Sequence, residues 1–216
     1  MTIKLIKHIT PKLDIPEFLC DSKLSKHLDD DALLKNMNKS FICGLIGKGG
    51  SGKTTLMAGL LQTKNKYKKV FNKIYVFMPE SSRKSMRKDV FECLPDEQKF
   101  DNVRHDDLTI VYEELIESSK NKHYSLLVFD DVQSYLKDTL VEKLLLHIIS
   151  NRRHLRTSIF LLCQNWKKIP IQIRIVFTDT FLFNVSKEEL KYIYEEIINV
   201  SKQDFSEILA YIERKN

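Results

Sequence analysis

Residues 47–54 read Gly47-Lys48-Gly49-Gly50-Ser51-Gly52-Lys53-Thr54, a full match to G-x-x-x-x-G-K-[ST]. The residue types state the chemistry. Glycines let the backbone curl so that successive N–H groups face one point and hold an anion there. A helix starting near Lys53 aims its positive end at the same point. Lys53 would then reach the outer phosphates of a nucleoside triphosphate, and the Thr54 hydroxyl would join the shell of Mg²⁺. The candidate cradle is Gly47, Lys48, Gly49, Gly50, Ser51, Gly52, Lys53, Thr54 and Thr55.

A second constellation follows the apolar run Leu126-Leu127-Val128-Phe129, where Asp130 and Asp131 stand side by side. Adjacent carboxylates there are costly to bury without a cation or partner. Asp130 stands where a carboxylate holds hydrated Mg²⁺, which makes Thr54 and Asp130 the candidate metal pair. Asp131 falls where a second acid would polarise the attacking water as a general base; a solvent-exposed cap is the alternative. Gln164 directly follows the apolar run 158–163, and an amide there would orient water or report the nucleotide state. Arg152, Arg153 and Arg156 cluster within five residues, out of eight arginines in the chain. Arginine stabilises transferring phosphoryl charge, often from a neighbouring subunit. Surface salt bridging, or cations at a helix C-terminus, is the other reading of this cluster and of Arg174.

These residues need a scaffold that brings strand ends together. Short apolar runs at 41–46, 73–78, 125–129, 158–163 and 180–183 read as strands. Helical spacing marks 54–62, 107–118 and 139–150, and two further helices near the C-terminus. Thr139 with Glu142, and Ser186 with Glu189, have capping-box spacing. Residues 81–100 are charged and carry no clear period. Residues 1–40 read as a strap or small N-terminal element ahead of a single domain at 41–216. Strands apolar on both faces and alternating with helices imply an α/β three-layer sandwich with a central, mostly parallel sheet; with the phosphate loop, this resembles the RecA/ASCE-like P-loop NTPases. Ligands of such sheets bind at the carboxyl ends of the strands, where all the candidate groups except the arginines fall.

Composition narrows the class. The chain has 216 residues, 43% hydrophobic and 30% charged, with a net charge of +6, which fits one globular domain and permits a polyanion partner without demanding one. No apolar run is long enough for a transmembrane helix, the N-terminus has no signal-like core, and Thr2 replaces the glycine that myristoylation needs. Cys20, Cys43, Cys93 and Cys163 lack zinc or redox spacing, which suggests a reducing compartment. His105, His123, His147 and His154 show no ligand spacing, so Mg²⁺ is the one metal expected. Lysine groups near 64–69 and 83–88 read as solvated faces before DNA contacts, and Trp166 as packing.

In combination, GKGGSGKTTL, LLVFDDV, SNRRHLRTSIFLLCQNWKKIPIQIR and FLFNVSKEELKYIYEE resemble the viral DNA-packaging ATPases of the FtsK–HerA superfamily. These are the poxvirus-type packaging enzymes of large DNA viruses and virophages, and the resemblance covers roughly residues 40–200. It implies that Lys53 and Thr54 bind ATP and Mg²⁺, that Asp130 and Asp131 are the metal-binding and catalytic acids, and that Gln164 is a sensor. Arg152 or Arg153 would complete a neighbour's site, with the choice between them open. The resemblance further implies a homo-oligomeric ring, hexameric or pentameric, that moves double-stranded viral DNA into preformed capsids and docks on capsid or portal-site proteins. It would work in the host-cell cytoplasm or viral factory, with virion association also open. Two other readings compete. The K-G-G-x-G-K-T-T loop also resembles ParA/MinD-type ATPases, where the lysine equivalent to Lys48 reaches across a dimer, but the second acid and strand-end glutamine are foreign to that group. A P-loop nucleotide kinase leaves the same two residues unexplained.

Overall fold

A computed structural model describes residues 39–63, 67–86, 89–197 and 200–213. The expected N-terminal strap lies outside the described residues, apart from Lys39 and Ser40. Lys64, Lys66, Arg87 and Lys88 of the two lysine-rich groups lie outside them too.

The strands are β1 (Ile42–Gly47), β2 (Lys73–Phe77), β3 (Lys99–Phe100), β4 (Ser125–Asp130), β5 (Thr157–Cys163) and β6 (Asp179–Phe183). They form one sheet in the order β3-β2-β4-β5-β1-β6, and every neighbouring pair is parallel. The helices are α1 (Lys53–Gln62), α2 (Glu80–Ser85), α3 (His105–Lys120), α4 (Thr139–Asn151), α5 (Ile171–Arg174), α6 (Lys187–Ile197) and α7 (Lys202–Glu213).

Alternation along the strands builds two cores. One face presents Cys43, Leu45, Val76, Val128, Phe160 and Leu162 to Leu56, Met57 and Leu60 of α1. The other presents Ile46, Phe77, Phe129, Ile159 and Leu161 to α3, α4 and α6 through Val111, Leu115, Val141, Leu145 and Ile193. A sheet apolar on both sides must be covered on both sides, hence the three layers. The sheet is parallel throughout its described strands, where the sequence pattern implies a mostly parallel one.

Two local readings shift. Asp138, not Thr139, caps α4: its carboxylate accepts the N–H groups of Leu140 at 2.9 Å and Val141 at 3.1 Å. Both residue types are good caps, and Asp138 holds the extended backbone that a cap requires. The unassigned stretch 81–100 contains α2, a 3-10 turn and the two-residue β3, too short to show a period. Phe100 of β3 stacks on Phe77 with ring centroids 4.7 Å apart.

The topology places the chemistry. β5 lies between β1 and β4, with Ile46 opposite Cys163 and Asp130 opposite Leu162. The phosphate loop, Gln164 and the two acids therefore leave the sheet at one level and in adjacent slots. Two glycines let β1 fit this crowded place. A Cβ on Gly47 would lie 2.1 Å from the Phe183 carbonyl oxygen, and one on Gly44 2.5 Å from the Phe177 ring.

Gly44→Ala is expected to cost about 1–3 kcal/mol in urea unfolding, from overpacking. The cost should shrink in a Phe177→Leu background, because the ring that is struck has gone. An equal cost in both backgrounds contradicts the close-approach account.

Candidate active site

The loop between β1 and α1 is shaped for an anion. Gly50 and Gly52 hold φ of +70° and +95°, in the region that favours glycine. A Cβ on Gly49, Gly50 or Gly52 would meet nothing within 4 Å, so packing does not account for these glycines. Gly52 caps α1 without a side chain, and no acidic residue sits in the first turn, which leaves the helix N–H groups and dipole unneutralised. Ser51 Oγ is buried without a hydrogen-bond partner, an orphan that a phosphate oxygen would satisfy.

Lys53 is buried, at 8% exposure, and its ammonium donates to the carbonyls of Gly47 at 2.7 Å and Lys48 at 2.8 Å. Burial pulls its pKa below the ordinary lysine value, while Asp130 and Asp131 act in the opposite direction. Thr54 Oγ1 donates to Asp130 Oδ2 at 2.8 Å across the gap between α1 and β4. Asp130 is 7% exposed, and burial pushes its carboxyl up to about 6 despite the Thr54 hydrogen bond and the Lys53 charge. Asp131 is exposed and holds a left-handed φ of +57°, unusual for a residue with a side chain. Gln164 Nε2 donates to Asp131 Oδ1 at 3.0 Å. Lys53, Thr54, Asp130, Asp131 and Gln164 thus meet at one edge of the sheet.

The Thr54–Asp130 pair fits Mg²⁺. Both groups offer hard oxygen donors, and a dication would offset the cost of burying the carboxylate. Among the described residues no group of three or more His, Cys, Asp or Glu side chains could hold a metal ion. One carboxylate and one hydroxyl suit an ion that keeps water and takes phosphate oxygens.

The arginine cluster is not part of this assembly within one chain. Arg152, Arg153 and Arg156 follow α4 and precede β5, at the amino ends of the strands, so the length of β5 separates them from the loop. Arg152 is half-buried and donates to Ser40 O and Ile149 O, both at 3.0 Å. Arg156 lies over the Tyr124 ring at 4.1 Å. Arg153 is exposed. Arg174 is buried against Glu196 at 2.7 Å and does not reach the phosphate loop. Lys48 is exposed, and Thr55 is half-buried. Residues beside the site that carried no sequence signal as site residues are Glu189 and Glu196, which hold Trp166 just beyond Gln164. Spacing gave Glu189 a capping role. Its backbone N–H does bond Ser186 Oγ at 3.2 Å, but its carboxylate turns to Trp166.

Residues 25–216 match the profile of the family described as Poxvirus A32 protein. The DNA packaging protein OPG160 of Variola virus is 31% identical over 158 residues, covering 66% of this chain and 52% of that protein. Its counterpart from Vaccinia virus (strain Copenhagen) is 31% identical over 146 residues with the same coverage. The chain therefore spans about half the length of these relatives. The genome packaging NTPase B204 from Sulfolobus turreted icosahedral virus 2, solved in complex with ATP-gammaS, shares the fold. The TM-score is 0.54 at 17% identity, over 75% of this chain and 84% of that one.

The raised Asp130 pKa has a definite sign in stability. The folded carboxyl titrates at about 6 and the unfolded one near 4, so between these values the folded state keeps a proton that the unfolded state loses. The resulting penalty is absent below about pH 4, grows through about pH 6 and is complete above, at about 3 kcal/mol. Without nucleotide or metal, urea unfolding should show wild type losing stability relative to Asp130→Asn across that window. Parallel pH profiles of the two proteins would contradict it.

Proposed function

The chain belongs to the Poxvirus A32 protein family, and from that premise we propose that it is an ATP-hydrolysing motor that packages double-stranded viral DNA into preformed capsids. The observation that carries the reading is the meeting of Lys53, Thr54 and Asp130 with the Gln164–Asp131 pair at the ends of β1, β4 and β5. A nucleotide-binding loop alone would be compatible with many activities. A buried acid for the metal and a second, exposed acid held by a strand-end amide point to hydrolysis. The ParA/MinD-type and kinase readings leave the Asp131–Gln164 pair without a task.

In this reading the triphosphate takes the place of the Gly47 and Lys48 carbonyls on Lys53, and the loop N–H groups and the α1 terminus hold its oxygens. Thr54 and Asp130 would hold Mg²⁺, which would supply neutralisation of phosphate charge. Asp131 orients a water and accepts its proton as the water oxygen bonds to the γ-phosphorus and the bond to the ADP oxygen breaks. Gln164 keeps Asp131 in place. Arg153, exposed at the far end of the sheet, is the better placed of the two arginines to serve a neighbouring subunit, since Arg152 is committed to its own backbone carbonyls. A ring of such subunits, hexameric or pentameric, would bring one subunit's arginine to the next one's phosphates. DNA would thread the ring, and capsid or portal-site proteins would anchor it. Its workplace would be the host-cell cytoplasm or viral factory.

ATPase assays with and without double-stranded DNA test the reading. DNA should stimulate hydrolysis, and Asp131→Asn should reduce it by about 10²-fold or more while ATP still binds, as for loss of a general base. No hydrolysis by wild type, or phosphoryl transfer to a nucleoside monophosphate, overturns it. Mixing Arg153→Ala with Lys53→Ala subunits should recover activity that neither variant has alone, because some interfaces then pair an intact loop with an intact arginine. Failure of the mixture to recover activity excludes Arg153 as the group acting in trans.

A further inference from the structure

Each polar group of Trp166 is held by a charged side chain. Its backbone N–H lies 3.1 Å from both carboxylate oxygens of Glu189. Its indole N–H donates to Glu196 Oε2 at 2.6 Å, and its carbonyl accepts from Arg174 Nη1 at 3.2 Å. Arg174 Nη2 closes the circuit by donating to Glu196 Oε1 at 2.7 Å. Trp166 is fully buried, and its ring meets the Phe177 ring edge-on at 5.9 Å.

Stability alone is a weak reason for this arrangement. The indole packs in the apolar core beside Ile169, Ile173 and Ile193, and that packing needs no ions. A buried ion pair roughly breaks even against apolar side chains of similar volume, because desolvation offsets the attraction. What the charges do supply is direction. They come from two elements, α5 and α6, and converge on a residue two positions after Gln164. The Gln164 side chain is exposed, and its hydrogen bond to Asp131 is its one side-chain hydrogen bond among the described residues. Its backbone is anchored on one side by Cys163, the buried end of β5, and on the other by the Trp166 bracket two positions on.

We propose that Glu196, acting with Arg174 and Glu189 through Trp166, is a positioning residue for hydrolysis: it fixes the loop so that Gln164 holds Asp131 in register with the phosphates. The inference deepens the proposed function and rests on Asp131 acting in hydrolysis. It makes α6 part of the catalytic apparatus without contact with nucleotide.

A double-mutant cycle on the full chain tests it, using steady-state ATPase. Glu196→Gln should lower kcat about tenfold while KM for ATP stays within about twofold, since the phosphate loop is untouched. In a Gln164→Ala background, Glu196→Gln should cause no further loss, because the residue it serves has gone. Multiplying losses in the double variant, a loss confined to KM, or an unchanged kcat overturns the proposal. If Glu196→Gln does not fold, Arg174→Lys, which keeps charge but loses the two-pronged contact, carries the same cycle. A readout independent of turnover comes from Trp166, the only tryptophan in the chain. Its emission should shift when a non-hydrolysable ATP analogue binds wild type with Mg²⁺. In Gln164→Ala the shift should vanish although the analogue still binds, and a shift retained there overturns the relay. Wild type that hydrolyses no ATP would remove the proposed function together with this inference; wild type that hydrolyses, with independent variant effects, removes this inference alone.

Discussion

Lys53 and Asp130 bury opposite charges at the carboxyl ends of two strands that do not touch, because β5 runs between them. Burial works against both charged forms, lowering the ammonium pKa and raising the carboxyl pKa to about 6. The ammonium is held by two backbone carbonyls, and the carboxyl by the Thr54 hydroxyl and the Asp131 backbone N–H, so neither has a counter-charge bonded to it. A polyanion carrying a divalent cation would satisfy both at once. The rest of the domain serves to hold this unfinished electrostatic arrangement in place.

The parallel sheet does so by register. Gly47, Cys163 and Asp130 end their strands at nearly one level, so the loop, the amide and the acids emerge side by side. Two dry cores make that register rigid, since a slip would turn apolar side chains toward the wrong layer. Gly44 and Gly47 allow β6 and the Phe177 ring to close on β1. Asp131 then turns through a left-handed backbone, a conformation that costs energy and persists where surrounding structure holds it. The Gln164 amide is the contact that holds its side chain.

Much of this was legible in the residues. The fixed spacing of the phosphate loop located Lys53, and an apolar run followed abruptly by polar groups, which marks a strand end, located Asp130 and Gln164. Glycines whose Cβ would meet open space could be recognised because phosphate loops have fixed spacing. Other features were hidden for physical reasons. Trp166 takes its partners from 23 and 30 residues away, and no local period announces such a contact. The arginine cluster looked like one functional unit because its members are adjacent. Folding gives them separate tasks: Arg152 satisfies carbonyls at the end of α4, Arg156 stacks on Tyr124, and Arg153 stays exposed. Asp138 and Thr139 compete as caps by type alone, and the backbone decides for Asp138.

A metal-bound triphosphate would complete the Lys53–Thr54–Asp130 arrangement. A crystal structure with Mg²⁺ and a non-hydrolysable ATP analogue tests it most directly. Lys53 Nζ should leave the Gly47 and Lys48 carbonyls for phosphate oxygen, and Thr54 Oγ1 should bond the ion beside Asp130. Nucleotide bound elsewhere, with Lys53 still on its own loop carbonyls, would contradict the account.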